Sequence, residues 1–175
     1  MAATAVIIIL STITMLRMNT QISKRIVERE AELFYSAVTY ARNLTRSGKV
    51  FRDEDGDLEL DVPNGYGAHI PDVAGYVIFG DLFAGATAQS YDAGEEINLG
   101  ATIFDGNVGV NLYDLNGIPM TTPVDIFFET PGAEMFLSGS ACPCLGVKVE
   151  FFHVADPLLK RTVIMRGDTG QIYVE

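Results

Sequence analysis

The sequence contains few of the residue types on which enzyme and metal sites usually depend. Only two histidines are present, His69 and His153, and neither has a second His, a Cys or a carboxylate at metal-ligand spacing. His153 alternates with apolar residues in a predicted strand, and His69 follows GYGA, a stretch typical of a turn or a strand edge. Both are interpreted as structural, and the chain is predicted not to be an enzyme.

Cysteine is equally scarce. The only two, Cys142 and Cys144, are separated by one proline. A thiolate metal site needs about four ligands, so zinc is not expected. In an oxidising compartment the pair would form either a local disulfide, whose geometry one intervening residue strains, or a bond between two chains. Both alternatives stay open.

Charge is absent from the segment Met1 to Leu16, and the first ionisable side chain is Arg17. As a helix, sixteen residues reach about 24 Å, less than the roughly 30 Å of a bilayer hydrocarbon core. No basic region precedes the apolar run and no small-residue cleavage site follows it, so it does not resemble a removed secretory signal. This segment is expected to anchor the chain in a membrane or in the core of a filament.

Glycine and proline are absent before Gly48. Apolar residues recur at helical spacing, which predicts one continuous helix of about 70 Å with Gly48 as its C-cap. The main apolar row of its second part consists of Ile22, Ile26, Leu33, Ala37, Tyr40 and Leu44. A second row widens that stripe and consists of Val27, Phe34, Val38 and Ala41.

Beyond Gly48 the sequence consists of short runs of β-branched and aromatic residues separated by Gly, Asn, Asp and Pro. This pattern indicates strands and turns. The sequence therefore predicts an α+β protein: a helix over residues 1–48, apolar and then amphipathic, packed on an antiparallel β-rich head over residues 49–175. The predicted strands are Gly75–Phe79, Ile97–Ile103, Val108–Tyr113, Val124–Glu129, Val147–Val154, Arg161–Met165 and Gln171–Val174.

The two parts carry opposite charges. Residues 1–50 hold seven Lys/Arg and three Glu, a net charge of +4, and the rest of the chain carries −15 of the total of −11. Affinity for nucleic acid comes mainly from Lys and Arg contacts with phosphates, so an acidic head is not expected to bind it.

Two groups of carboxylates have the composition of calcium ligands. The run Asp53 to Asp61 lacks the order of an EF-hand loop and is interpreted as a solvated acidic loop. The better candidates for a calcium site are Asp81, Asp92, Glu95 and Glu96. Apart from calcium, no cofactor is expected.

A long helix, apolar and then amphipathic, followed by a β-rich head resembles type IV pilins and type II secretion pseudopilins. Similarity to the FimT/GspH-like group lies in FYSAVTYARNLTRSGKV at 34–50, NGYGAHI at 64–70, VIFGDLF at 77–83 and KRTVIMRGDTGQIYVE at 160–175. The N-terminus departs from the family pattern, because the methylated phenylalanine and the glutamate five residues in have no counterpart. Either the chain begins several residues late, with Met1 an internal or misassigned start, or this subunit lacks the processing site. The second alternative would put leader-peptidase cleavage and methylation in doubt.

The resemblance implies the pilin fold and a structural function. The chain would wait in the inner membrane, meet a pilus or secretion assembly machinery, and self-associate into a helical filament at the cell surface. The assembly interface would consist of Ala2, Ala3, Val6, Ile7, Ile8, Ile9, Leu10, Met15 and Leu16. Two alternatives are a minor pseudopilin of a type II secretion system and a membrane-anchored extracellular module that binds a ligand.

Overall fold

The computed structural model describes residues 2–48, 51–52, 60–61, 63–81, 89–93, 95–97, 101–138 and 146–175, without the side chains of 2–13, 16, 51–52, 60–61 and 138. A single helix, α1, spans Ala2–Ser47. The helix ends where the sequence predicts, because Gly48 has a φ of 57° and its amide donates to the Thr45 carbonyl at 3.3 Å.

Two antiparallel sheets make up most of the head. Their strands are β3 (Gly65–Ile70), β4 (Gly75–Asp81), β5 (Thr102–Ile103), β6 (Val108–Asp114), β7 (Val124–Glu129), β8 (Glu134–Ser138), β9 (Gly146–His153), β10 (Asp156–Arg166) and β11 (Ile172–Val174). The first sheet has the order β5-β4-β3-β7-β8 and the second has the order β11-β10-β9-β6. A separate antiparallel pair joins β1 (Phe51–Arg52) to β2 (Leu60–Asp61).

The second half of α1 packs against both sheets, and one hydrophobic core joins the three layers. Phe34 lies at the centre of this core. Its ring meets Tyr76 of the first sheet edge-on at 5.1 Å between centroids, and Phe151 of the second sheet at 5.6 Å. Burial raises the pKa of another core residue, Tyr66, to about 12.

The packing of one helix on antiparallel sheets confirms the α+β architecture. The division of the chain at residue 48 stays a prediction.

Most of the strand predictions are confirmed within a few residues. β7 has the predicted bounds, and the C-terminal segments pair as antiparallel neighbours, with Val163 opposite Val149 on one side and Val174 on the other. The segment 155–160 was expected to be a connection, but β10 begins at Asp156 and continues through an irregularity in register. Of the predicted strand Ile97–Ile103, only Thr102–Ile103 is a strand in the described part, and 98–100 lie outside it.

The expectation of a turn or strand edge around GYGA was wrong. β3 is the central strand of the first sheet, paired with β4 on one side and β7 on the other. Its glycines serve packing, since a Cβ on Gly67 would come within 2.7 Å of the Phe79 ring. A Cβ on Gly65 would likewise clash with the Phe128 carbonyl oxygen. β8, which pairs with β7, was not predicted at all.

Candidate assembly surface

The buried face of α1 is the second apolar row of the sequence. Val27, Phe34 and Val38 are fully buried under the sheets, and Ala31, Ala41 and Leu44 complete the contact. Two polar groups share this face. Thr45 donates to the carbonyls of Ala41 and Phe128, each at 3.2 Å, and the Glu30 carboxylate accepts from Arg29 at 2.7 Å. Glu30 thereby raises the pKa of Arg29.

The main predicted row is divided between the core and the solvent. Leu44 is buried, and Ile26 and Ala37 are partly buried against the core. Ile22, Leu33 and Tyr40 are exposed, and with Met15 and Met18 they follow one another at helical spacing along a single side of α1. Periodicity alone could not tell which of two neighbouring rows faces the sheets. We call the five residues the outer stripe.

The first half of α1 extends away from the head. Thr14, Met15 and residues 17–22 are all exposed, and Val27 is the first buried position among the described side chains. The helix begins at Ala2, about 38 Å earlier at 1.5 Å per residue. Within the described part of the chain, no helix carries a stretch that is both long and apolar enough to cross a membrane.

Most of the predicted assembly residues fall in this first half. The backbone of Ala2, Ala3 and Val6 to Leu10 is helical, as is that of Leu16, but their side chains lie outside the described residues. Met15 is described and is exposed. The assembly prediction is thus placed on a helix and otherwise stays a prediction.

At one end of the head, the β9–β10 hairpin and the segment around Asp105 contact α1 near Glu28 and Arg29. We call this end the base. The hairpin between β9 and β10 approaches α1 here, and Arg161 just beyond its tip donates to Glu28 at 2.9 Å. This hydrogen bond, more than the nearby Lys24, lowers the pKa of Glu28. On another side of the helix, Asp105 accepts from Arg29 at 3.4 Å. The hairpin tip and the segment that contains Asp105 are joined by a hydrogen bond, which the Val154 amide donates to the Asn107 carbonyl at 2.9 Å.

The four calcium candidates lie on or near the outer face of the first sheet. Asp81 and Glu95 are buried, and their carboxylates accept from the amides of Gln89 at 3.1 Å and Asp92 at 2.9 Å. Glu96 accepts from the Tyr91 hydroxyl, which raises the pKa of Tyr91 to about 12. Among the described residues, no group of three or more His, Cys, Asp or Glu side chains could hold a metal ion. The calcium prediction therefore gains no support, and residues 82–88 beside it are not described.

The same outer face contains a contact that the sequence did not reveal. His69 of β3 meets Asp125 of the neighbouring β7, with 2.5 Å between Nδ1 and Oδ1. The Tyr91 ring stacks on the imidazole at 4.3 Å between centroids. The only hint in the sequence was that Asp125 lies in a predicted strand, because His69 was expected in a turn or at a strand edge. The imidazole is thus held on two sides, and the structural interpretation of His69 stays a prediction.

Two further candidates remain. Cys142 and Cys144 lie outside the described residues, so both disulfide alternatives stay predictions. A shallow groove of about 460 Å³ runs beside β6 and is lined by Val73, Val110, Leu112, Tyr113, Met120 and Thr121, among others. It contains no ionisable cluster and offers apolar contact with a few hydroxyl and amide groups.

Comparisons of the chain with protein-family models, with curated proteins and with solved structures found no match. The resemblance to pilins therefore rests on the sequence features given above.

Proposed function

We propose that this chain is the structural subunit of a type IV pilus-like filament and that it assembles through the N-terminal half of α1. The observation that carries this proposal is the outer stripe. It continues the charge-free segment of residues 1–16 along one side of the helix, past the point where the head begins.

Energetics favour a helical partner for this surface. Burying a Leu, Ile or Met side chain contributes about 1.5–3 kcal/mol, so five exposed apolar residues in one row are a costly surface to leave in water. A row at helical spacing fits a second helix, which satisfies its own backbone hydrogen bonds in lipid and in a bundle alike. The filament subunit would be held in the inner membrane before assembly and would be exported to the cell surface.

The test is filament formation by the full chain. Material sheared from cells is imaged by electron microscopy, and the dissociated subunit is weighed by mass spectrometry. Ile22→Glu places a charge in the outer stripe and should abolish the filaments. Ile118→Glu is the matched control, because Ile118 is 60 % exposed, comparable with 52 % for Ile22, and lies on the head at the far end of β6.

Filaments that form equally well with Ile22→Glu would contradict an interface through the outer stripe. Filaments that are absent from the unaltered chain, with the protein confined to membranes, would favour a minor pseudopilin. A minor pseudopilin would differ from the filament subunit in its copy number.

The groove beside β6 favours a second candidate, a membrane-anchored module that binds a ligand. Ligand sites are concave and mostly apolar with a few polar groups, which fits its lining. This candidate predicts that Tyr113→Ala and Met120→Ala, at two partly exposed positions of the groove, weaken ligand capture. A filament subunit should form filaments normally with both changes.

A further inference from the structure

One flank of α1 contains two buried polar atoms, Thr39 Oγ1 and Arg42 Nε, that have no hydrogen-bond partner in the described part of the chain. Residues three apart on a helix are neighbours, so both atoms belong to the same surface. Arg42 lies beside the turn between β10 and β11, where its Nη2 atom is 2.8 Å from the place that a Cβ on Gly170 would take. The guanidinium is thus held against the head without an acceptor for its Nε–H.

Arg42 also lacks a counter-charge. Among the residues that the structure describes, no ion pair involves Arg42 or Arg46, its exposed neighbour one turn further along the helix. The carboxylate of the adjoining turn, Asp168, accepts instead from Arg166 at 3.0 Å. Burial, and then the charge of Arg46, lower the pKa of Arg42. A cation that is partly desolvated and has no partner costs folding free energy, so Arg42 destabilises the isolated subunit.

The surface that the proposed filament brings to this flank is another acidic head. Residues 51–175 carry a net charge of −15, so heads that pack side by side repel one another unless cations offset the repulsion. A carboxylate can accept two N–H groups of one guanidinium, and Arg42 has already lost part of its hydration on folding. The charge of this flank therefore complements the head of a neighbouring copy.

We propose that Arg42 and Arg46 form a binding site for a carboxylate of a neighbouring copy of the chain, an exposed Asp or Glu of its acidic head. Arg42 and Tyr40 of the outer stripe are two residues apart and point to different sides of α1. The carboxylate site is therefore separate from the helix contact, and a contact between unlike surfaces can repeat from copy to copy into a helical filament. This inference rests on the proposed filament and adds a contact that involves the heads.

Arg42→Met tests this site, because methionine keeps an apolar side chain at the position and removes the charge. The full chain is purified in detergent for urea unfolding, and filaments sheared from cells are quantified. We expect the unfolding midpoint to stay equal or to rise. The filament yield should fall about tenfold or more, the factor that one charge-assisted hydrogen bond is worth. Lys148→Met is the matched control, since it removes the same charge from a partly exposed position on β9 and should leave the yield unchanged.

Cross-linking tests the source of the carboxylate. Arg46→Lys places an amine in the site, and a carbodiimide joins amines to carboxylates that contact them. Filaments of this variant should yield a covalent dimer in which position 46 of one copy is joined to an Asp or Glu of another, as mass spectrometry of its peptides would identify. The unaltered chain has no amine at position 46 and is the control.

Filaments that form normally with Arg42→Met would overturn the site and leave the proposed filament intact. A lower unfolding midpoint for that variant would show that Arg42 stabilises the subunit itself, which also overturns the site. Acetate could raise the midpoint of the unaltered chain alone while position 46 gives no dimer, and this result would assign the site to a free anion instead of a second copy. Absence of filaments from the unaltered chain would overturn the proposed filament and this contact together.

Discussion

Two adjacent residues of α1 offer a direct test of which helix face holds the head together. Phe34 is fully buried between Tyr76 and Phe151, whereas Leu33 is 48 % exposed in the outer stripe. We expect Phe34→Ala to lower the free energy of unfolding by about 3–5 kcal/mol, since it removes a buried ring and leaves a cavity. Leu33→Ala should change that free energy by about 0.5 kcal/mol or less.

Thermal and urea unfolding of the full chain in detergent would measure the difference. For a chain of this size, about 1 kcal/mol corresponds to 2–4 °C, so Phe34→Ala should lower Tm by about 6–20 °C. In the filament assay, the substitution with the larger effect should be the one at Leu33. Leu33→Glu should preserve the unfolding midpoint and reduce filaments.

Equal destabilisation by Phe34→Ala and Leu33→Ala would refute the assignment of the two helix faces. Normal filaments from Leu33→Glu would refute only the extension of the outer stripe along the head. The two results are independent, so the fold and the assembly proposal are tested separately.

Two other predictions concern an ion pair and a packed glycine. Because Arg161 lowers the pKa of Glu28, the stability from this pair is present above the ordinary Glu pKa of 4.5 and is lost as the pH falls through the lower folded value. When the pH is lowered from neutral to about 3, the free energy of unfolding should therefore fall less in the Glu28→Gln variant than in the unaltered chain. Urea unfolding midpoints at the two pH values would measure the difference. An unchanged pH dependence would exclude a contribution from this pair. Gly67→Ala should destabilise the head by about 1–3 kcal/mol through clashes with the Ile126 carbonyl oxygen and the Phe79 ring. Gly106→Ala is its control, since nothing lies within 4 Å of the added Cβ, and equal unfolding midpoints would contradict the clash.

The sequence predicted those parts of the fold whose local pattern agrees with their environment. The helix end at Gly48 and the strand Val124–Glu129 were placed correctly because a glycine cap and a β-branched and aromatic run bounded by proline are local signals. β3 was missed because Gly65 and Gly67 have the composition of a turn, while their real constraint is the Phe79 and Phe127 rings contributed by other strands. Such a constraint exists only after the sheet has formed, so no local pattern contains it.

Of the candidate site, the sequence predicted the helix and its apolar rows, but not which row the head buries. Val27 and Ile22 lie in neighbouring apolar rows, and both rows satisfy the same 3.6-residue period. The sheets bury the row with Val27, Phe34 and Val38, where a large ring alternates with smaller side chains and fits between two layers. The outer stripe, to which Ile22 and Leu33 belong, is left exposed by the head. A chain that folds alone would gain from polar residues at those positions, and the proposal of a partner helix rests on their apolar character.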